Sequence, residues 1–463
     1  MTMGGVFGVC GTAIDAPLLG ELRISPGALI VVDETGLIAE VLTPGEAAYD
    51  ARRQSLAAGG ALVELSDGEY LLPGLVDLHN HAPQWPQLGK ALDVTLAEWL
   101  DDYTFPLEAR YQDIDFATTV YKSLVDAMLA NGTTTAVYFA TIHLPATQRL
   151  VDICIERGQR ALVGRVAMDA PDACPDYYRD VSAAVAVEQT VALIDYIKDH
   201  PGNKAGLLSP VVTPRFIPSC SDELLRGLGR VVAESGCHVQ THCSESDWAH
   251  AYGLDRHGHS DTTTYRDFGL LTRRTVLAHS NFVSPADLET IAITGAAVAH
   301  CPLSNVYFAN AVFPTREALD AGVHVGLGTD ISGGPSPSLF TAAYNAVAAS
   351  RVREDGVNAN LPAGERGSPA SRITFAEAFW MATTGGGIAL DLPIGVFAGG
   401  YCFDAMIVDT AAPNTDLLIW PELDSPEDIF QKIIHNASRH NVATVWVQGR
   451  KVRANRGISP PLA

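Results

Sequence analysis

Apolar residues along this chain follow two rhythms. Near both ends they form short runs broken by turn residues. Ala28–Leu42 (ALIVVDETGLIAEVL) has two apolar stretches around Asp33–Gly36, and the pattern returns in Phe403–Thr410 and in Val442–Val452, which turns at Gln448-Gly449. Such runs are hairpin signals. Between the ends, short apolar runs alternate with helical spacing. Phe116, Val120, Leu124 and Met128 share one helical face, which Asn131-Gly132 closes. Ser284-Pro285 with Asp287, and Thr374 with Glu377, mark helix starts.

Eight strand-like runs lie in this middle region: LVDLHNH (75–81), VYFAT (137–141), ALVGRVAMD (161–169), SPVVTPRF (209–216), CHVQTH (237–242), TVLAHS (275–280), AAVAHCP (296–302) and VHVGLGTD (323–330). Eight runs alternating with helices over about 260 residues predict an α/β fold of the (β/α)8 barrel type. An open doubly wound sheet is the structural alternative, but no GxGxxG follows an early strand. The terminal segments are too short to stand alone and are expected to pair into a small β-sandwich. The expected division is 1–70 and 393–463 for that sandwich and 71–392 for the barrel. Gly356–Arg372, rich in Gly, Pro and Ala, reads as a surface loop.

Composition narrows the chemistry. The chain has 463 residues, 47% of them hydrophobic, and a net charge of −22. A sizeable core is available, and phosphate polyanions and anionic membranes are disfavoured partners. A small neutral or cationic ligand is easier to accommodate. No apolar run reaches the ~18 residues of a membrane span. The N-terminus lacks the basic flank of an export signal, and the eight cysteines are scattered without a CxxC pair. Both point to a reducing cytoplasm.

The run Leu71–Gln84 (LLPGLVDLHNHAPQ) ends in two histidines one residue apart. Residues two apart on a strand face the same side, so His79 and His81 converge. His242, His279 and Asp330 close three other runs. Singly, each has a structural explanation: a hydrogen-bonded core histidine, or an aspartate capping a loop. Together, at strand ends where barrels carry their chemistry, they fit an open N/O metal site with room for a water.

GLVDLHNH, THCSE, LAHS and GLGTDISGG resemble the amidohydrolase superfamily, whose motifs of this kind end strands one, five, six and eight. Binuclear members carry a bridging lysine on strand four, and SPVVTPRF has none. The resemblance therefore implies one Zn2+ per chain, held by His79, His81, His242 and Asp330 with His279 beside them. HAPQ (81–84), EWLDDYTFPLEARYQD (98–113), NGTTTAVYFATIH (131–143), TPRF (213–216) and AHCPLSN (299–305) are similar to the guanine deaminases of that superfamily. Two blocks depart from the family pattern: CSESDWAHAYGL after His242, and NVYFANAVFP in the strand-seven loop.

The resemblance implies hydrolysis of guanine to xanthine and ammonia, a purine as the small-molecule partner, and a homodimer. Glu245, three residues past His242, is expected to shuttle protons to a ring nitrogen and to the leaving amine. Asp330 is expected to accept the water proton, and His279 to hydrogen-bond the attacking oxygen. Gln84 offers a donor and an acceptor to a purine edge, Arg215 a donor fork to a carbonyl, and Phe216 a ring to stack on. Deamination or dechlorination of another heterocycle (8-oxoguanine, a pterin, a triazine) is the same-fold alternative. A non-enzymatic scaffold is the alternative outside enzymes. Trp85, Trp99, Tyr103, Phe105 and Tyr138 are expected to be packing residues. His143, His238, His300 and His324 are expected to be satisfied structural histidines, with contact to the pocket as the alternative for His300 on the seventh run. Cys220, Cys243 and Cys301 have no spacing that supports a nucleophile triad.

Overall fold

A computed structural model of the chain describes residues 5–309 and 311–454. Asn310, within the NVYFANAVFP block, and the first four residues lie outside that description. The apolar run 71–81 is divided between two sheets. Glu69–Pro73 pairs antiparallel with Ala405–Asp409 in an outer sheet, and Leu75–His81 opens the barrel. Gly74 sits at the crossing, where a Cβ would lie 2.2 Å from the Thr134 hydroxyl, so only glycine fits.

The barrel strands are β1 (Leu75–His81), β2 (Thr133–Phe139), β3 (Arg160–Gly164), β4 (Leu208–Pro214), β5 (His238–Cys243), β6 (Thr275–His279), β7 (Ala297–His300) and β8 (His324–Leu327). Every neighbouring pair from β1 to β8 is parallel. All eight runs expected from the sequence are therefore strands. Two hydrogen bonds close the ring just past β8: Asp330 N–H donates to His79 O (2.9 Å) and His81 N–H donates to Ile331 O (3.0 Å). The closure that makes the sheet a barrel thus also brings Asp330 against the paired histidines.

Val76 and Leu78 pack with Val137, Leu162, Val211 and Val276, each from a different strand except the first two, and fill the barrel interior. Between Asp77 and Asn80 the register of β1 slips by one residue, so Asp77 pairs with Ala136 and Asn80 with Tyr138. Such a bulge re-aims side chains locally. Asp77 and Asn80 hydrogen-bond each other and both reach Thr329.

The expected helices are present. Ile114–Ala130 ends at Asn131, and the starts at Ser284 and Thr374 are both complete capping boxes. The terminal segments form one mixed eight-stranded sheet. Val9, Ile30 and Val32 share an apolar cluster with Ile407, Ala443 and Trp446, so the N- and C-terminal strands are packed as one unit, a single mixed sheet where a two-layer sandwich was expected. Arg160, at the start of β3, donates to both carboxylate oxygens of Asp404 at 3.1 and 3.2 Å in a buried pair that ties barrel to outer sheet. Among the described residues no helix is long and apolar enough to cross a membrane, and all eight cysteines are buried and free.

Candidate active site

The C-terminal ends of β1, β5, β6 and β8 meet at one mouth of the barrel. His79 Nε2 lies 3.1 Å and His81 Nε2 3.5 Å from Asp330 Oδ1. His81 Nε2 and His242 Nε2 are 3.0 Å apart. The His79 ring centroid lies 4.9 Å from those of His81 and His242 and 5.3 Å from that of His279. All five side chains are buried. The backbone is strained at these positions: His279, Ser280, Ser244 and Asp330 have φ of +69°, +55°, +44° and +48°. Non-glycine residues adopt the left-handed region at a cost, and such outliers concentrate where function requires them.

The donor chemistry suits a divalent cation. Burial, with the neighbouring imidazoles, holds His79, His81 and His242 well below the ordinary histidine pKa, so they are neutral and carry lone pairs. His242 Nδ1 is 2.6 Å from Arg215 O, which can only accept, so Nδ1 carries the proton and Nε2 faces the cluster as a lone pair. The Nε2 atoms of His79 and His279 are buried without a hydrogen-bond partner. Orphaned, neutral nitrogens beside a carboxylate are costly unless something completes them, and a metal ion does so. Two sets, His79–His81–Asp330 and His79–His242–His279, have all their donor atoms within 4.8 Å.

Glu245 lies just beyond this cluster, its Oε1 3.5 Å from His279 Nε2. Burial, and then the Asp330 carboxylate, push its pKa up to about 8, so at neutral pH it holds a proton. Gln84, Arg215 and Phe216 line the same pocket as His81, His242, Glu245 and Asp330. Every site residue expected from the sequence is therefore in or beside one cavity.

Several residues that the sequence did not single out complete the site. The buried Glu108 carboxylate accepts from both terminal nitrogens of Arg215, at 2.6 and 3.2 Å, and from Gln84 Nε2 at 3.0 Å. The Ser332 N–H donates to the other end of the Gln84 amide. One carboxylate thus orients both Gln84 and Arg215. Asp77, pushed up to about 6 by burial, accepts from Thr329 N–H and Oγ1–H just before Asp330. Asp77 was visible as a lone charge inside an apolar run. Nothing in sequence spacing connects Glu108 to Arg215.

Expectations change at Trp99 and at His300. Trp99 lines the pocket and lies 5.2 Å from Phe308, so it is part of the apolar wall. His300 is buried with neither ring nitrogen hydrogen-bonded, so it is not a satisfied structural histidine, and burial lowers its pKa to about 3. His143 Nε2 is likewise unpartnered, whereas His238 bonds Leu390 O. Trp85, Phe105 and Tyr138 are packing residues as expected: Trp85 bonds Ser123 and Tyr138 bonds Gln159, while Phe105 lies under the Arg215 guanidinium. Cys243 contacts Thr262, away from the histidine cluster.

Comparison with known proteins agrees with this geometry. The model of the amidohydrolase family matches residues 70–452. A guanine deaminase of Dictyostelium discoideum is 34% identical over 461 residues, covering 96% of this chain and 97% of that protein. The guanine deaminase of Homo sapiens is 37% identical over 397 residues, 84% of each chain. The crystal structure of a guanine deaminase from C. acetobutylicum with guanine bound in its active site superposes with a TM-score of 0.85 at 30% identity, covering 96% of this chain and 100% of that one. With this site at the mouth of this barrel, the chain belongs to the amidohydrolase family and, within it, to the guanine deaminases.

Proposed function

We propose that this chain hydrolyses guanine to xanthine and ammonia, with one zinc ion held by His79, His81, His242 and Asp330. The observation that carries the reading is that Glu245, beside His279 of the His/Asp cluster, lines the same pocket as Gln84 and Arg215, which Glu108 holds from behind. The chemistry such an ion supplies when bound is acidification of water to a pKa near 7.

The remaining steps belong to the protein. Arg215 and Gln84, held by Glu108, present donors and an acceptor to the carbonyl and amide edge of the base. Phe216, Trp99 and Phe308 supply apolar walls for its planar faces. Held by that edge, the base would turn its exocyclic amine carbon toward Asp330 and Glu245, which line the same pocket. Asp330 accepts a proton from the attacking water. Glu245 transfers its proton to the ring nitrogen beside that carbon, which becomes tetrahedral, and is reprotonated from the added hydroxyl. It then protonates the amine. The carbon–nitrogen bond breaks, ammonia leaves, a carbonyl remains, and the water proton held by Asp330 passes to Glu245, restoring both carboxyl groups for the next turnover. His279 Nε2, beside both carboxylates, contacts the same space. The homodimer is carried over from the family resemblance and is checked by light scattering.

A panel of bases tests the substrate. Ammonia release is expected from guanine and not from adenine or cytosine; activity on adenine or cytosine alone rejects the reading. Glu108→Gln removes the charge that compensates Arg215 while keeping one acceptor. Charged hydrogen bonds contribute about 1.5–3 kcal/mol each, so KM for guanine is expected to rise roughly 10- to 100-fold with zinc content unchanged. An unchanged KM removes Glu108 from recognition.

A further inference from the structure

A short amide chain runs behind the two groups nearest the reacting carbon, and its polarity can be followed from one fixed end. The Glu245 main-chain carbonyl can only accept, so the Asn281 atom 2.9 Å from it is Nδ2. That same NH2 lies 3.1 Å from a side-chain atom of Asn305, which must therefore be the acceptor Oδ1. His279 Nδ1 is 2.9 Å from that same oxygen and so must donate to it. In a neutral imidazole the proton is then on Nδ1, and Nε2 presents a lone pair toward Glu245 and Asp330.

The chain is anchored elsewhere too. Asn281 N–H donates to Ser244 O (3.1 Å), and Ser244 N–H, in its left-handed conformation, donates to Asp261 (2.7 Å). Asn281 and Asn305 are 7% and 2% exposed, so bulk water is a poor substitute for either partner.

We propose that Asn305 and Asn281 are positioning residues that act as one unit. The single oxygen of Asn305 sets the His279 tautomer, and through Asn281 it also holds the backbone that carries Glu245. Neither asparagine lines the pocket. The inference rests on the deaminase reading for its kinetic consequence and stands apart from it for the tautomer.

Two isosteric substitutions separate a directed chain from mere space filling. Asn305→Asp keeps an acceptor facing both donors. Asn281→Asp replaces a donor with an oxygen opposite two other oxygens. Groups that orient a site from behind typically contribute 10–100-fold. Asn305→Ala and Asn281→Asp are therefore each expected to lower kcat on guanine by about 10- to 100-fold with KM within about threefold. Asn305→Asp is expected to keep kcat within about tenfold of the parent. Nitrogen-15 histidine spectra of the unsubstituted protein, assigned with His279→Gln, are expected to show His279 protonated at Nδ1, and this reading needs no activity. A proton on Nε2, or equal responses to the two aspartate substitutions, overturns the proposal. An inactive parent protein would instead reject the substrate reading and leave the spectrum to decide the tautomer.

Discussion

Glu245→Gln is expected to lower kcat on guanine by about 10²- to 10⁴-fold, the range a positioned proton donor contributes, while zinc content stays at that of the parent. The carboxyl is buried and its pKa is pushed up to about 8 by burial and by Asp330, so at neutral pH it carries the proton that the ring nitrogen takes up in the first step. Glutamine has the same size and can still hydrogen-bond, but it cannot transfer a proton. Binding is expected to change little, because the base edge is met by Arg215 and Gln84, which Glu245 does not touch. Steady-state kinetics with parallel metal analysis check this. A kcat within threefold of the parent removes Glu245 from proton transfer.

His79→Ala is expected to lose the metal. His79 is common to both groups of donors that lie within 4.8 Å, and its Nε2 is the imidazole nitrogen nearest the Asp330 carboxylate. Removing it leaves two imidazoles and a carboxylate on separate strands, and affinity is expected to fall by at least about 100-fold. The fold is expected to remain, because Val76, Leu78 and their partners fill the barrel interior without any contribution from the imidazole. Zinc bound to the folded chain raises its stability in proportion to the logarithm of free metal over Kd. The parent is therefore expected to melt higher when zinc is added, and the variant is not. Titration of zinc followed by a thermal melt reads both effects. A variant that keeps tight zinc places the metal elsewhere.

The His/Asp cluster was legible because strand geometry makes it so. Period two puts His79 and His81 together, and barrel topology carries every strand end to one rim. The bulge in β1 was not legible, since the slip between Asp77 and Asn80 depends on pairing with β2. Nor was Glu108, whose partners Gln84 and Arg215 are 24 and 107 residues away and meet it only in the folded chain. Trp99 read as packing because an aromatic beside apolar residues looks alike in a core and in a pocket wall. His300 read as satisfied because burial was inferred and its surroundings were not. The amide chain through Asn305 required three partners at once, which no spacing in the sequence encodes.

The central claim is that one divalent ion at the barrel mouth serves the hydrolysis of guanine. Conversion of guanine to xanthine, followed spectrophotometrically on protein before chelation, after chelation and after zinc is returned, tests it most directly. The account predicts full conversion, then near-complete loss, then recovery that saturates at one zinc per chain. Chelated protein, shown to be free of metal, that still converts guanine at the original rate would contradict it.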